Sequence, residues 1–320
     1  MSGKHITILG GSGFVGRSLV AHLANQGYAV KVLTRYRNAC RQLLVQPQVQ
    51  VVEGDVYNAA FLTREFTDTH CVVNLVGILN EFGGKNEKFK RAHIDLTEVT
   101  VGACLAAGVG RLVHMSALKA DAEDGPSAYL RSKGEAENVI KRQATTLRWS
   151  IVQPSVIFGT EDSFVNRFAG LLKLPAPFLP LPRARARFAP VFVDDVVKAI
   201  HACITRDDTH GKTYQLCGPH VYSLHEIVSK IRAQLGIRRK IVEMPDVLAR
   251  VQARFMDFVP GKPFSSDNYK SLTVHSICDT DGFARLDIAP QSLDAVMPTY
   301  LGDGVKSRRF GRMRAKAGRD

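Results

Sequence analysis

The sequence lacks any run of about 18 apolar residues, the length that a membrane-spanning helix needs. We therefore expect no transmembrane segment. The first apolar run already begins at residue 5, so we expect no secretory or transit peptide.

Cysteine is scarce, and no two cysteines form a C-x-x-C motif. The six cysteines are scattered along the chain, several of them inside apolar runs: Cys40, Cys71, Cys104, Cys203, Cys217 and Cys278. This spacing predicts neither a zinc site nor a disulfide framework, and it fits a reducing cytoplasm.

Two other patterns are missing. No group of His, Cys, Asp and Glu has the spacing of metal ligands, so we expect no metal site. Basic and aromatic residues are not interleaved, so we expect no nucleic-acid partner.

The chain of 320 residues is 45% hydrophobic, which is enough to fill one large core or two linked ones.

Acidic residues are too few to balance the basic ones, and the net charge is +13. Nearly half of this excess lies in residues 305–320, where seven basic residues face a single acid, Asp320. The segment has few apolar positions, so we expect a flexible tail that does not fold on its own. Anionic lipid headgroups attract such tails, which predicts peripheral contact with the cytoplasmic face of the inner membrane. A solvated end without a partner is the alternative.

Glycine is abundant where the chain begins, and residues 5–16 read HITILGGSGFVG. An apolar run leads into glycines spaced G-x-x-G-x-x-G, and apolar residues then recur at helical spacing, which predicts a strand, a tight turn and a helix. A side chain in the turn would block the backbone from a pyrophosphate, which the free N–H groups and the positive end of the helix attract. The alternative is a tight turn without a ligand. The predicted dinucleotide contacts are Gly10, Ser12, Gly13, Phe14, Val15 and Gly16.

The second predicted strand, residues 29–33, leads to the position where the adenosine ribose is read. An acidic residue there would bind the 2′-hydroxyl of NAD, but Arg35 follows the strand instead. A guanidinium suits a 2′-phosphate, so NADP(H) is favoured and NAD(H) is the second choice. A solvated basic loop is the alternative.

Two more strands are predicted at residues 49–52 and 71–75, and ligands of a doubly wound sheet bind at the carboxyl ends of such strands. Asp55 can accept a hydrogen bond from the adenine amino group, although a helix cap explains it equally well. The other predicted contacts at these two strand ends are Val56, Leu75, Val76 and Gly77. A helix over residues 87–107 and a strand over 111–115 continue the alternation.

Tyr129 and Lys133 lie four residues apart in a predicted helix, and they therefore share one helix face. The ammonium can lower the phenol pKa and hydrogen-bond the nicotinamide ribose. The phenol can then exchange a proton with a carbonyl or alcohol while hydride moves on the cofactor. Ser116, at the end of the preceding strand, can polarise the same substrate oxygen. An exposed helix pair without a catalytic role is the alternative.

With these motifs the chain resembles the short-chain dehydrogenase/reductases of the extended or atypical type. Residues 153–159, QPSVIFG, are similar to the Arg-Pro-x-x-Val-Tyr-Gly segment of that family, and residues 192–196, FVDDV, to its later Val-Asp-Asp-Val helix start. The resemblance implies that His93, Pro154 and Val156 also bind the cofactor. The chain departs from the family pattern at His93, where the family often has Asn, and at Gln153, where it often has Arg.

Three later segments, residues 186–196, 264–269 and 286–301, are similar to bacterial relatives of the nucleotide-binding accessory subunit of respiratory complex I. In that branch a tightly held NADPH is thought to serve structure more than turnover. Its bacterial members are commonly labelled NAD-dependent epimerase/dehydratases. The resemblance implies an association with respiratory complexes.

The region after residue 159 predicts a helix over residues 163–172 and a capping box at Ser223 and Glu226. Arg183, Arg185 and Arg187 alternate, so an extended segment would point them the same way toward one anion; a solvated edge is the alternative. A later helix carries an apolar stripe that we expect in the core, with a membrane or quinone contact as the alternative. The stripe consists of Leu248, Val251, Phe255, Met256 and Val259.

We therefore expect an α/β fold: a Rossmann domain with a doubly wound parallel sheet over residues 1–155 and 189–212, and a smaller C-terminal α/β substrate domain over residues 156–188 and 213–304. The first functional hypothesis is an NADP(H)-dependent oxidoreductase acting on an unidentified carbonyl, alcohol or quinone-related small molecule. Its rival is a non-catalytic NADPH-binding module that serves the assembly of respiratory-chain or ubiquinone-biosynthesis complexes.

Overall fold

A computed structural model describes residues 4–81, 86–144, 146–257 and 265–302. The basic tail over 305–320 lies outside the described residues, as do Val259 of the apolar stripe and Phe264 of the second resemblance. The predictions on those residues remain predictions.

Strands and helices alternate through the first half of the chain. Its elements are β1 (His5–Leu9), α1 (Phe14–Asn25), β2 (Ala29–Thr34), β3 (Val49–Glu53), α2 (Ala59–Phe66), β4 (Cys71–Asn74), α3 (Glu87–Phe89), α4 (Leu96–Ala106), β5 (Arg111–Met115), α5 (Ala128–Gln143) and β6 (Arg148–Pro154). A π-helical turn, Lys90–Asp95, joins α3 to α4, so the single helix predicted over 87–107 is interrupted.

Shorter strands and helices follow. They are β7 (Ile157–Phe158), α6 (Val165–Lys173), β8 (Phe178–Pro182), β9 (Arg187–Phe188), β10 (Val191–Phe192), α7 (Val193–Thr205), β11 (Lys212–Leu216), β12 (Tyr222–Ser223), α8 (Leu224–Gln234), β13 (Lys240–Met244), α9 (Asp246–Met256), α10 (Ser266–Ser271) and α11 (Leu293–Tyr300). The predicted capping box at Ser223 and Glu226 is confirmed at the start of α8.

Seven strands form one parallel sheet in the order β11-β6-β5-β4-β1-β2-β3. The sheet winds outward in both directions from β1, so the predicted doubly wound Rossmann fold is confirmed. The strand order reverses between β1 and β4, and the carboxyl ends of these strands open the crevice where such sheets bind ligands. The glycine turn follows β1 at that crevice.

Both faces of the sheet are covered, which explains why its central strands are almost wholly apolar. One core contains Leu19 and Leu23 of α1 with Ile200 of α7. The core on the other face contains Phe66 of α2 and Val101 of α4. No described helix is long and apolar enough to cross a membrane.

A smaller α/β part follows β6 and has its own core beneath α6, α8 and α11. It contains the two-stranded pairs β7–β10, β8–β13 and β9–β12. Two details differ from the expected boundaries: β11 continues the main sheet to Leu216, and Phe283 and Leu286 pack into the Rossmann core. The division into domains otherwise stays a prediction.

The expectation of no disulfide is wrong, because Cys217 and Cys278 are bonded to each other. The Gln215 side chain accepts hydrogen bonds from the backbone N–H groups of Asp279 and Thr280, at 2.7 and 3.1 Å. These hydrogen bonds hold the segment around Asp279 beside the end of β11, so two cysteines that are 61 residues apart in the sequence become neighbours. The spacing of the cysteines in the sequence does not predict this contact. The other four cysteines are free and buried.

Two findings concern the C-terminal part. Arg183 and Arg185 lie in a turn rather than an extended segment, and they pair with different carboxylates, Asp246 and Glu243, so they do not face one anion. The alternative of a solvated edge describes Arg185, whose side chain is 91% exposed. The apolar stripe of α9 is not in the core: Leu248, Val251 and Phe255 are 58%, 62% and 69% exposed. Periodicity identified a helix face, but it could not show which face the rest of the chain covers.

Candidate functional site

The glycine turn is packed too tightly for side chains. Gly10 has a positive φ of 80°, and a Cβ there would lie 3.0 Å from the backbone of Leu75 and Val76 at the end of β4. A Cβ on Gly16 would overlap the carbonyl oxygen of Gly10, so glycine lets α1 approach β1. The N–H of Gly13 donates to that carbonyl at 3.0 Å, and α1 begins at the next residue. This cradle fits a dinucleotide pyrophosphate.

The other residues predicted at the turn have their side chains in structural positions. Val15 is buried in the core, and the Phe14 ring lies against Gly159. The carbonyl of Ser12 accepts a hydrogen bond from Arg17, whose guanidinium also pairs with Glu161. Contact between these three residues and a cofactor would therefore involve mainly their backbone and the Ser12 hydroxyl.

Arg35 is exposed directly after β2, as the prediction of a 2′-phosphate contact requires. An acid that sequence reasoning missed lies beside it: the Glu53 carboxylate accepts a hydrogen bond from the N–H of Arg37 at 2.7 Å. Glu53 ends β3, and it pairs in register with Thr34 of β2. Because Glu53 ends the strand next to β2, its position in the sequence could have indicated an acid near this turn. The turn after β2, which is predicted to read the ribose and is called the ribose-reading turn below, therefore presents both an arginine and an acid.

Asp55 is exposed after β3 and accepts from the N–H of Tyr57 at 3.0 Å. It is not the cap of α2, because Asn58 fills that role by accepting from the N–H of Phe61. Val56, predicted beside Asp55, is buried in the core. The Asp55 carboxylate thus stays at the sheet edge where an adenine contact was predicted.

The chain after β4 passes close to α5, the helix that carries Tyr129 and Lys133. Asn74 accepts from the N–H of Val76 at 3.1 Å, which shapes the Leu75–Val76–Gly77 segment. A Cβ on Gly77 would lie 3.2 Å from Lys133 Nζ. Glycine is therefore what allows this segment to pass close to the ammonium group.

Lys133 is buried on α5 between the ends of β4 and β5. Its Nζ donates to the carbonyls of Met115, at 2.9 Å, and Val76, at 3.4 Å. Burial lowers the pKa of Lys133 to about 8, and the nearby Glu137 carboxylate opposes that shift. The side chain is thus mostly cationic at neutral pH, and two of its three N–H donors are used.

Tyr129 lies one turn before Lys133, with its ring 5.6 Å from that of His93 and 6.2 Å from that of Phe89. The predicted lowering of its pKa by Lys133 is wrong in this structure, where burial raises the pKa of Tyr129 to about 12. The ammonium is directed at two carbonyls instead of the phenol. Tyr129 is therefore a neutral phenol at physiological pH and is able to donate a proton.

Ser116 follows β5 and is buried, and its N–H continues the sheet by donating to the carbonyl of Val152. Within the described part of the chain, its hydroxyl has no hydrogen-bond partner. A buried hydroxyl without a partner is costly, which makes Ser116 a candidate for contact with a ligand. Pro154 ends the neighbouring strand β6 at the same edge, where its carbonyl accepts from Leu118, and half-buried Val156 follows.

His93, predicted to contact the cofactor, forms hydrogen bonds with two other parts of the chain. It lies in the π-helical turn, its Nε2 accepts from the N–H of Ile78 at 3.1 Å, and its Nδ1 lies 2.7 Å from Ser132 Oγ. The first contact fixes the proton on Nδ1, and burial together with Lys133 and His114 lowers the pKa of His93 to about 2. With both nitrogens used inside the protein, neutral His93 ties the loop after β4 to α5.

Asp267 of α10 is a site residue that sequence reasoning missed. Its two carboxylate oxygens accept from the N–H groups of Ala128 and Tyr129, at 2.7 and 3.2 Å. Ser127 caps the same helix by accepting from Leu130, so the start of α5 has both a local cap and a distant one. The carboxylate also complements the positive end of the helix dipole. Asp267 therefore positions the helix that carries Tyr129.

We expect Asp267→Ala to lower the free energy of unfolding by about 1 kcal/mol, the usual effect of losing a helix cap. Asp267→Asn should cost less because its amide oxygen still accepts one of the two hydrogen bonds. Thermal unfolding of both variants measures the difference. Asp124→Ala, an exposed acid just before α5, is the matched control. An Asp267→Ala melting curve identical to that of the wild type would exclude this capping role.

A cavity of about 340 Å³ lies at the opposite edge of the sheet, at the starts of the strands. Its wall includes Arg111, whose guanidinium donates to carbonyls at the end of α7 and to Asp207. This arginine therefore stabilises a helix end. The predicted dinucleotide and catalytic residues all belong to the other edge.

Comparison with known proteins decides the family. Residues 10–168 match a family model described as NAD(P)H-binding. A ceramide reductase from Caulobacter vibrioides is 30% identical over 243 residues, which cover 75% of this chain and 74% of the reductase. The chain belongs to the extended or atypical short-chain dehydrogenase/reductases. The first resemblance drawn from the sequence is thus confirmed.

Another relative is similar over almost the whole chain. The mitochondrial NADH dehydrogenase [ubiquinone] 1 alpha subcomplex subunit 9 of Arabidopsis thaliana is 29% identical over 319 residues, covering 94% of this chain and 78% of that subunit. The second resemblance, to the complex I accessory subunit, is confirmed by this match.

Among solved structures, the dTDP-glucose 4,6-dehydratase DesIV from Streptomyces venezuelae, with NAD bound, superposes with a TM-score of 0.73. It covers 96% of this chain and 98% of its own, at 20% identity. At that identity the likeness shows the shared fold alone.

Proposed function

We propose that the chain is an NADP(H)-dependent oxidoreductase that acts on a carbonyl, an alcohol or a quinone-related small molecule. The observation that carries the proposal is the position of Lys133. Its ammonium is buried between the ends of β4 and β5, one helical turn from Tyr129 and in contact with the residue before Ser116. This position supports the proposal because it places Lys133 one helical turn from Tyr129 and beside the strand end that Ser116 follows.

Each of these side chains has a role that follows from its surroundings. The neutral phenol of Tyr129 gives its proton to the carbonyl oxygen in the reducing direction. The hydroxyl of Ser116, which lacks a described protein partner, hydrogen-bonds the same oxygen and orients it. Lys133 holds the nearby backbone and offers its remaining N–H to the nicotinamide ribose. When bound, the cofactor supplies the hydride.

Turnover by the purified chain tests this proposal. The protein is mixed with NADPH and a panel of carbonyl compounds and quinones, and with NADP⁺ and a panel of alcohols. We expect nucleotide oxidation or reduction with at least one class of substrate. If the chain binds NADPH but no member of any class reacts, the proposal of an enzyme is rejected.

The preference for NADP(H) rests on Arg35, which is exposed and follows β2 directly. Arg35→Asp should raise the Kd for NADPH by several-fold to about tenfold, because one charge-assisted contact with the 2′-phosphate is lost. The Kd for NADH should change much less. Fluorescence titration with both nucleotides measures the four constants.

Arg148→Asp is the control for that titration, because it makes the same change of charge at the opposite edge of the sheet, where β6 begins. It should leave both constants near those of the wild type. The titration also distinguishes Arg35 from the nearby acid Glu53. If the Glu53 carboxylate binds the ribose 2′-hydroxyl, the wild type should prefer NADH instead of NADPH. Equal affinity of the wild type for NADH and NADPH would contradict the preference.

A second candidate function is a non-catalytic NADPH-binding module that associates with a respiratory-chain or ubiquinone-biosynthesis complex. It is favoured by the relatives of this chain that are named as subunits of NADH dehydrogenase or of NADH-ubiquinone oxidoreductase. In that role NADPH would rigidify the chain, and a peripheral position at the cytoplasmic face of the inner membrane would follow. A chain that binds NADPH, melts at a higher temperature with it and never turns over supports this second function.

A further inference from the structure

The surface of α9 combines two opposite properties. Ala249 and Ala253 are buried against Tyr269 of α10, and Met244 packs beside them. Four large apolar side chains of the same helix are exposed by 58–73%. These four residues, which we call the α9 face, are Val247, Leu248, Val251 and Phe255.

Helix geometry makes the α9 face continuous. At about 100° per residue, its four side chains fall within an arc of about 100°. Ala249 and Ala253 point to the opposite side. The small alanines allow α9 to pack closely on α10, while every large apolar side chain of the α9 face is directed away from the protein. A soluble surface helix normally has the reverse arrangement.

Polar contacts hold α9 in this orientation. Asp246, its first residue, accepts from the Tyr269 hydroxyl and pairs with Arg183 and Arg250. The Arg250 guanidinium also donates to the Tyr269 oxygen at 3.2 Å. Because this network fixes the buried side of the helix, rotation of α9 would break it. The exposed apolar stripe is therefore built into the fold.

Charge indicates what covers the α9 face. Arg250 and Arg254 lie along one border of the stripe. Arg250 is held by Asp246 and Tyr269, whereas Arg254 is exposed beside Val247 and Val251. An apolar stripe bordered by arginines is the pattern of a helix that lies in the interface of an anionic bilayer. A second copy fits less well. An isologous contact through one narrow helix would bring the same arginines together and bury less than a stable dimer needs.

We propose that the α9 face docks the protein on an anionic membrane surface. In this contact Val247, Leu248, Val251 and Phe255 enter the boundary between headgroups and acyl chains, and Arg254 lies at the phosphate level. No residue of the α9 face is among those proposed to bind NADP(H). The contact also differs from the electrostatic attraction expected of the basic tail, because it depends on apolar burial and therefore persists at high salt.

Co-flotation of the full chain with phosphatidylcholine vesicles that contain phosphatidylglycerol tests the proposal. High salt screens the tail, so the binding that remains reports on the α9 face. Val251→Ser combined with Phe255→Ser should lower the partition coefficient at high salt by about tenfold or more, because two exposed apolar side chains no longer enter the lipid. Leu44→Ser combined with Val45→Ser is the matched control, since both residues are exposed elsewhere, and it should leave partitioning unchanged.

Thermal unfolding confirms that each variant is folded, and Leu248→Ser serves as a second probe if the double variant melts early. Equal partitioning of the wild type and the α9 variants at high salt would overturn the proposal. So would a wild-type dimer that the α9 variants convert to monomers without loss of vesicle binding, because a second copy would then cover the α9 face. Turnover and NADPH affinity, measured on the same proteins without vesicles, keep this test independent of the proposed oxidoreductase.

Discussion

Tyr129→Phe is expected to lower turnover by a factor of about 10² or more while the Kd for NADPH stays near that of the wild type. The substitution removes only the phenolic oxygen. Burial keeps that phenol neutral, with a pKa of about 12, so it is a proton donor whose loss no other described group at this position replaces. The phenylalanine ring retains the contacts with Phe89 and His93, and the fold should be unaffected.

Steady-state kinetics and nucleotide titration on the same preparations measure this effect. Tyr28→Phe is the control, because it removes a hydroxyl whose one described hydrogen-bond partner is His201 of α7. Turnover by Tyr129→Phe at the wild-type rate would remove Tyr129 from the catalytic role. A large loss of NADPH affinity would instead assign the phenol to cofactor binding.

Gly16→Ala is expected to abolish high-affinity nucleotide binding, with a Kd for NADPH raised at least about tenfold, and to lower the free energy of unfolding by about 1–3 kcal/mol. The added methyl group would overlap the carbonyl of Gly10 and the backbone of Gly11. Because those atoms are backbone, only a shift of α1 away from β1 relieves the overlap. That shift moves the N–H groups that would hold the pyrophosphate.

Gly102→Ala and Gly170→Ala are matched controls in α4 and α6, where an added Cβ meets nothing within 4 Å. Alanine is the better helix former, so both controls should be as stable as the wild type or more stable by about 0.4–1 kcal/mol. Thermal unfolding and NADPH titration apply to all three variants. The packing explanation fails if Gly16→Ala behaves as these controls do.

Local patterns predicted much of the fold. The strand at Arg111–Met115 has the bounds that its apolar run indicated, and α1 follows the glycine turn as expected. These elements follow from side-chain periodicity and from the backbone freedom of glycine. Both can be recognised in a short segment of the sequence. The parallel sheet then follows from the alternation of strands and helices.

Contacts between distant segments could not be predicted. Asp267 reaches the start of α5 from 138 residues further along the chain, and Glu53 meets the ribose-reading turn through strand pairing. The bond between Cys217 and Cys278 depends on how a late segment lies along β11. The spacing of residues in the sequence does not predict these contacts, because tertiary packing decides which distant segments meet.

The direction of the pKa shift of Tyr129 could not be predicted from the sequence either. The motif of Tyr129 and Lys133 predicted a lowered phenol pKa, yet the direction depends on where the ammonium points and how deeply the phenol is buried. The α9 stripe illustrates the same limit for apolar residues. Its spacing predicted an amphipathic helix, but only the packing of Ala249 and Ala253 shows that the large side chains face outward.

The central claim, an NADP(H)-dependent oxidoreductase, is tested most directly by identifying the nucleotide that the purified protein carries and following its oxidation. We predict that mass spectrometry finds NADP(H). We also predict that NADPH is oxidised when a carbonyl compound or quinone is added to the wild type, at least about 10²-fold faster than with Tyr129→Phe. A protein that carries or binds no nicotinamide nucleotide, or that holds NADPH unchanged against every compound, would contradict the claim.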